Sequence, residues 1–138
     1  IILSVVVLCR QGGALGLMLL PFRFFVGGTL GSGRQWMSWI HIEDEVRAIR
    51  FLIDNESATG AFNLSAQPVT NAEFSKAAGK TMGKSSFFRL PRFLLRLVLG
   101  EMSTMVLDGQ RVSAKKLIDL GFEFKYGQIE EALNNLVQ

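Results

Sequence analysis

The chain has 138 residues, of which 49% are hydrophobic and 20% charged, with a formal net charge of +3. This length suits one domain, which can bury about two thirds of the surface that its unfolded chain exposes. The balance of apolar and charged residues is typical of a globular protein and argues against wholesale disorder. The one cysteine, Cys9, excludes an intrachain disulfide and a cysteine-based metal cluster. We therefore expect a reducing, cytoplasmic location and no metal site.

Apolar stretches raise the question of a membrane, and a basic stretch raises that of a phosphate-bearing partner. Ile1–Cys9 has about half of the ~20 residues that a spanning helix needs, and charged residues interrupt the later apolar stretches. We expect no membrane span. Phe74–Gly100 contains basic but no acidic residues, and it forms either a solvated face or a surface for phosphates. No nucleic-acid motif accompanies it, so we expect no nucleic-acid partner.

The predicted elements begin with a strand. Ile1–Leu8 is short, continuous and rich in β-branched residues, which is typical of a strand buried on both faces of a parallel sheet. Gln11–Gly13 ends this strand, and Ala14–Leu20 is predicted to be a short helix that Pro21 breaks. The glycine-rich segment Gly27–Gly33 predicts a hairpin or a tight loop.

An extended segment and a helix follow. Arg34–Ile42 is predicted to be a strand that contains His41, for which a structural role is favoured over a catalytic one. The acidic run Glu43–Glu45 suits the positive end of a helix dipole. This helix should end near Asn55. Its buried stripe is predicted from apolar residues at helical spacing, which are Val46, Ile49, Leu52 and Ile53.

The rest of the chain is predicted to be mostly helical after a short strand at Ala61–Ser65. Thr70 and Glu73 form a capping box, in which the Thr70 hydroxyl accepts a hydrogen bond from the Glu73 amide. That helix should end at Gly83 and bury Phe74, Ala77, Ala78 and Met82. Three more helices are predicted at Pro91–Leu99, at Ala114–Leu120 with Ser113 as cap and Gly121 as end, and at Ile129–Val137.

Two polar spots are candidate binding sites. The first follows the glycine-rich segment and consists of Arg34, Gln35, Trp36 and Trp39, and the second is Arg111 beside Gln110. A planar guanidinium can donate two parallel hydrogen bonds to a phosphate, and an indole face suits a sugar or base ring. The alternative at both spots is that the arginines are solvated and the tryptophans belong to the core.

Catalytic motifs of dinucleotide-dependent enzymes are absent from the sequence. No G-x-G-x-x-G stands between a predicted strand and a helix, so no cradle for dinucleotide phosphates is predicted. Tyr126 is the only tyrosine, and Glu130 stands four residues after it, so a Tyr-x-x-x-Lys pair is also missing. We therefore assign no catalytic residue to this chain.

The order of these segments resembles the second half of extended short-chain dehydrogenases, the class of nucleotide-sugar epimerases and dehydratases. Gly31–Asp44 matches most of the pattern G-x-G-x-x-x-R-D-[FW]-[IV]-H-[IV]-x-D, and Pro68–Phe74 resembles the Pro-Val-Thr and helix that follow. The chain is most similar to epimerase-like proteins that end in a domain of unknown function. Seven strings carry that resemblance, in order: Val6–Leu8, Gly12–Leu15, Gly31–Trp36, Trp39–Ile42, Gly100–Met102, Gly109–Val112 and Gly121–Phe122.

The resemblance implies an α/β fold that is the C-terminal part of a Rossmann-like fold. Residues 1–65 would supply an incomplete parallel sheet with a substrate-side hairpin, and residues 66–138 a mostly helical substrate-side subdomain. In the full-length family the first half binds NAD or NADP and carries the catalytic Tyr and Lys, so we expect no cofactor on this chain alone. Many epimerases have a diphosphate-binding arginine where this chain has Met37, so that role either passes to Arg34 or Arg111 or is absent.

Two function hypotheses follow. In the first, the chain is the substrate-binding half of an NAD(P)-dependent nucleotide-sugar epimerase-like protein and is not catalytic by itself. In the second, it is a self-associating interaction module, whose apolar sheet edge or Pro21–Val26 region forms a homo-oligomer. A third and weaker alternative is a peripheral membrane protein that uses the basic, apolar stretch Arg89–Leu99.

Overall fold

The computed structural model describes residues 2–4, 6–10, 13–24, 27–84, 88–91, 93, 96–97, 100 and 111–137. The fold is α/β, as predicted, with short strands that pair mainly in parallel and helices that pack against them. The strands are β1 (Ile2–Ser4), β2 (Val6–Leu8), β3 (Gly28–Leu30), β4 (Trp36–Met37), β5 (Trp39–His41), β6 (Phe62–Leu64), β7 (Val69–Thr70) and β8 (Phe88–Leu90). The helices are α1 (Gly13–Arg23), α2 (Ile42–Ile53), α3 (Asn71–Met82), α4 (Lys115–Asp119) and α5 (Ile129–Val137).

The strand predicted over Ile1–Leu8 is observed as β1 and β2, and both pair in parallel. β1 pairs with β6 and β2 pairs with β5. Ala66, just after β6, donates its amide hydrogen to the carbonyl of Trp39 at the start of β5, at 2.8 Å. β6 and β5 therefore lie end to end along the same edge of the N-terminal strand. The parallel pairing predicted from the continuous apolar run is confirmed.

Helix α1 continues past Pro21 to Arg23, so the predicted break is wrong. Proline in a helix interior costs about 3 kcal/mol, because it lacks an N–H and crowds the preceding turn. Leu15, Leu19 and Phe22 lie at helical spacing and are all buried in the main core. Each contributes about 1.5–3 kcal/mol on burial, which outweighs the cost of a proline in the last turn.

The segment predicted as a hairpin or tight loop contains a strand. Gly28–Leu30 forms β3, which pairs in parallel with β8, and the turn comes only after it. The Ser75 hydroxyl on α3 donates to the Gly28 carbonyl at 2.9 Å and ties this strand to the helix. Gly33 closes the turn with φ +72°, and a Cβ there would lie 2.2 Å from Thr29 Cγ2, so glycine is required. Strand β8 was not predicted.

Helix α2 begins at Ile42 and ends at Ile53, near the predicted bounds, but only part of the predicted stripe is buried. Val46 is 58% exposed and Ile53 is 75% exposed. Ile49 and Leu52 of the predicted stripe are partly buried against the second core cluster, as predicted. The same side of α2 also buries Asp44, Glu45 and Ala48. Asp44 can face inward because it is bonded to a distant loop, as described below.

The core consists of two apolar clusters. The first joins α1, α3 and α5 with Leu8 and Trp39, and the second joins β5, β6, α2 and α4 with Phe122. The inward face predicted for α3 is confirmed, and α5 buries Ile129, Ala132, Leu133 and Leu136 at helical spacing. The division of the chain at residues 65 and 66 stays a prediction, and both clusters draw residues from either side of it.

One helix near the C-terminus departs from the prediction at its start. The N-cap of α4 is Ala114, and Ser113 accepts the Lys115 amide hydrogen at 3.2 Å instead of capping a helix that starts at 114. The helix predicted over Pro91–Leu99 falls largely outside the described residues. Within the part of the chain that is described, no helix has the length and apolar character needed to cross a membrane.

We expect Thr70→Ala to lower the free energy of unfolding by about 1 kcal/mol, because it removes an N-cap. Thr70 Oγ1 accepts the Glu73 amide hydrogen at 3.2 Å, so the predicted cap of α3 is present. Urea unfolding measures the change. Thr70→Ser keeps the hydroxyl and should retain most of the stability, whereas an alanine variant as stable as the wild type would show that the cap contributes nothing.

Candidate functional site

A cavity of about 710 Å³ lies where the β6–β7 connection, the segment before α4 and the loop before α5 meet. Its volume is within the range of small-molecule sites, about 300–1,000 Å³. The cavity is lined by Ser65–Pro68, Arg111–Lys115, Ile118, Phe124, Gly127 and Gln128. Among these described lining residues there are two cations and no carboxylate, so the cavity suits a ligand with an anionic group.

Arg111 is held at this cavity by an aromatic ring. Its guanidinium lies over the Trp36 ring, 4.8 Å from the centroid. A cation–π contact of this kind contributes about 0.5–1 kcal/mol at an exposed site and limits the rotamers of the arginine. The neighbouring backbone is also fixed, because the Val112 amide donates to Ser38 Oγ at 2.9 Å. The two polar spots of the sequence analysis thus meet through Trp36 and Arg111.

The other residues predicted for the site occupy different positions. Trp39 is fully buried, and its indole N–H donates to the Gln67 carbonyl at 2.9 Å, so it supports the cavity wall from beneath. Arg34 is exposed and is not among the residues that line the cavity. The Gln35 carbonyl accepts the Asn71 amide hydrogen at 2.9 Å and so docks this turn on the start of α3. Direct ligand contacts of these three residues stay predictions.

A pair of glutamines forms part of the cavity wall and was missed by the sequence analysis. Gln128 Nε2 donates to Gln67 Oε1 at 3.2 Å. Both residues also line a second cavity of about 440 Å³, which lies on the other side of this bond. Each is a single polar residue in a connection, so no pattern in the sequence distinguishes it from other loop residues.

The loop that carries Gln128 is bonded to a buried carboxylate at the start of α2. The side chain of Asp44 is 0% exposed. Its Oδ1 accepts the Lys125 amide hydrogen at 3.0 Å, and its Oδ2 accepts the Tyr126 amide hydrogen at 2.8 Å. Arg47 Nη1 donates to Oδ1 at 2.6 Å. In the sequence, Asp44 is part of the acidic run at the start of a helix and the last residue of the Gly31–Asp44 pattern, and neither feature predicts its bonds to this loop.

His41 has a structural role, as predicted. It is 3% exposed, and its Nδ1 accepts the Glu43 amide hydrogen at 3.0 Å, which caps α2. Nε2 then carries the proton and donates to Asn135 Oδ1 at 2.8 Å. The ring stacks on Tyr126 with centroids 4.0 Å apart. Among the described residues, no group of three or more His, Cys, Asp or Glu side chains is arranged to hold a metal ion.

Comparison with known proteins agrees with the resemblance found in the sequence. A family model described as a domain of unknown function (DUF1731) matches residues 90–136. An epimerase family protein of Staphylococcus aureus is 47% identical over 133 residues, which cover 96% of this chain and 44% of that protein. The human epimerase family protein (isoform 2), in a crystal structure with NADPH, has a TM-score of 0.90 at 36% identity over 98% of this chain. The chain is thus similar, over nearly its whole length, to part of these epimerase family proteins.

The chain spans less than half the length of these epimerase family proteins, with 44% of the bacterial and 46% of the human protein covered. More distant structures share the fold. The dTDP-glucose 4,6-dehydratase from Bacillus anthracis, in complex with NAD, has a TM-score of 0.69 at 17% identity, over 99% of this chain and 42% of its own. The UDP-glucose 4-epimerase from Thermotoga maritima, with UDP-glucose, has a TM-score of 0.68 at 19% identity, over 99% and 43%. The fold assignment from sequence is confirmed.

We expect Glu43→Gln to reduce the loss of stability in acid. The hydrogen bond from Lys125 Nζ, at 2.8 Å, lowers the pKa of the Glu43 carboxyl below its ordinary value. A lowered folded-state pKa stabilises the fold above the ordinary glutamate pKa of about 4.3, and this contribution disappears as pH falls through the lowered pKa. Urea unfolding between about pH 6 and pH 3 measures the slope. Glu56→Gln, on the exposed turn after α2, should keep the wild-type slope, and an unchanged slope in Glu43→Gln would contradict the assignment.

Proposed function

We propose that this chain is the substrate-binding part of an NAD(P)-dependent epimerase-like protein and is not catalytic by itself. Its cavity beside Arg111 would receive the anionic part of a nucleotide-sugar-like ligand. The observation that carries this proposal is the guanidinium of Arg111, held over Trp36 at the edge of a 710 Å³ cavity.

The charges around the cavity support an anionic ligand. Lys115 is paired with Asp119 at 2.6 Å, which leaves the guanidinium of Arg111 as the better candidate to meet a phosphate. Its planar fork can bind two phosphate oxygens at once. The amides of Gln67 and Gln128 and the hydroxyl of Ser113 can donate to and accept from sugar hydroxyls or a base edge.

The cofactor of the full-length proteins, NAD or NADP, is proposed to bind outside this chain. The glycines at Gly31–Gly33 lead into strand β4 and not into a helix, so the residues present do not form the usual cradle for a dinucleotide phosphate. We therefore assign no hydride step and no proton-transfer step to this chain. A cytoplasmic location belongs to the same proposal.

A second candidate function, self-association, is supported by exposed apolar groups. β6 and β5 occupy the same edge of the N-terminal strand, and no pairing across its other edge is seen within the described residues. Large apolar side chains are also exposed, with Phe24 at 68% and Leu97 at 78%. An open strand edge beside apolar side chains favours pairing with another chain.

We expect Arg111→Ala to weaken the binding of UDP-glucose to this chain by about 1.5–3 kcal/mol, because it removes hydrogen bonds to a charged group. Calorimetric titration measures the affinity. Arg34→Ala tests the other arginine, and we expect a smaller loss because Arg34 lies outside the cavity lining. Arg50→Ala, an exposed arginine on α2, is the matched control. Equal affinities of the wild type and Arg111→Ala would refute the proposed site.

We expect the chain to form a homodimer or a higher oligomer at low micromolar concentration, and light scattering can measure this. Phe24→Asp should shift the equilibrium towards the monomer, because Phe24 lies in the Pro21–Val26 region and is 68% exposed. Val46→Asp changes an exposed residue on α2 and serves as the control. A well-folded wild-type monomer would rule out the self-association candidate.

A further inference from the structure

We infer that Asp44 is a positioning residue for the cavity, because its carboxylate holds the loop that carries Gln128. A fully buried carboxylate is costly unless several donors satisfy it. Asp44 has three, which are Arg47 and the backbone amides of Lys125 and Tyr126. Two of the three donors therefore belong to the backbone of one distant loop.

In the sequence, Lys125 and Tyr126 lie between residues that line the cavity. Phe124 comes just before them, and Gly127 and Gln128 follow, and all three line the cavity. A carboxylate is rigid and planar, so bonding one oxygen to each successive amide fixes the orientation of the peptide unit between Lys125 and Tyr126. The position of Gln128 is thereby set from the start of α2.

Glu43 and His41, at the start of α2, contact the side chains of the same loop. Lys125 Nζ donates to Glu43 Oε1 at 2.8 Å in an exposed pair, and the Tyr126 ring stacks on His41. Neither fixes the loop backbone. The bonds of Asp44 are the ones that a change of loop conformation would break, and breaking them would leave a buried charge short of donors.

The opposite wall is fixed independently. The Gln67 carbonyl accepts the indole hydrogen of the fully buried Trp39 at 2.9 Å. The hydrogen bond between the Gln67 and Gln128 side chains therefore joins two walls that are each held from behind. Loss of the Asp44 bonds should move the Gln128 wall and leave the Gln67 wall in place.

The test compares Asp44→Asn with Arg47→Ala in the folded chain. Asparagine keeps the size of the side chain but presents an amide N–H₂ to a backbone donor. By NMR we expect hydrogen exchange at the Lys125 and Tyr126 amides to accelerate by about tenfold and the Gln128 side-chain amide signals to shift. We also expect the Kd for UDP-glucose to rise by about tenfold, or about 1.4 kcal/mol, and this last effect rests on the proposed function. Arg47→Ala removes the third donor and the contact of the guanidinium with the Phe122 ring, 5.2 Å to the centroid, but no bond to the amides of Lys125 and Tyr126. It should therefore leave the exchange of these two amides and the Gln128 signals unchanged.

Several outcomes would overturn the inference. The first is unchanged hydrogen exchange at the Lys125 and Tyr126 amides in Asp44→Asn, and the second is an equal change in Arg47→Ala. The third is faster exchange at these amides without a shift of the Gln128 signals. Where the wild type binds UDP-glucose, faster exchange with an unchanged Kd would also overturn it. If the wild type does not bind UDP-glucose, the proposed function fails, and the Gln128 signals alone decide the role of Asp44. If Asp44→Asn does not fold, hydrogen exchange in the wild type tests the inference. We then expect the Lys125 and Tyr126 amides to exchange as slowly as those in the middle of α5. Exchange as fast as in the exposed turn at residues 55–60 would overturn the inference.

Discussion

The buried carboxylate of Asp44 joins parts of the chain that lie far apart in sequence. It accepts hydrogen bonds from the backbone amides of Lys125 and Tyr126, which lie 81 and 82 positions further along the chain, and from Arg47. An ionised carboxylate without such partners would be very unfavourable in the interior. The start of α2 and the loop before α5 can therefore separate only at a large cost. The stacking of His41 on Tyr126 and its bond to Asn135 add to the same junction.

Hydrophobic periodicity predicted the buried face of α2 only in part, because Ile49 and Leu52 pack against the core but the face also carries polar residues of this junction. The apolar residues at helical spacing predicted an inward stripe, yet Val46 and Ile53 are mostly exposed. Periodicity arguments treat each polar residue as solvent-facing. Here Asp44 and Glu45 also face inward, and donors from the loop and from the helix itself satisfy Asp44. Only the tertiary structure reveals such donors.

Other parts of the fold were predictable where a local signal was strong. The cap at Thr70, the left-handed Gly83 and the apolar spacing of α3 act within one segment, and all three agree with the structure. Strands β3 and β8 have three residues each, too few for an alternating pattern, and their pairing depends on contacts distant in sequence. At the site, residue chemistry singled out Trp36 and Arg111, but only the fold reveals that they meet. No sequence pattern indicated Gln67 and Gln128, because their place in the cavity wall depends on the hydrogen bond between their side chains.

The position of Met37 clarifies how the site differs from epimerases that have an arginine there. Met37 lies in β4 opposite Val69 and packs against the main core, so this position contributes to packing. Positive charge at the cavity comes instead from Arg111 and Lys115, and the Trp36 ring already restricts the rotamers of Arg111. Immobilising a long side chain on binding costs about 0.5–1.5 kcal/mol, so a cation that is already restrained binds its anion with less entropic loss.

The two walls of the cavity are restrained in the same way, by Trp39 behind Gln67 and by Asp44 behind Gln128. On the proposed function, the fold of this chain therefore prepares the binding surface in advance, and the chemical step depends on residues outside it.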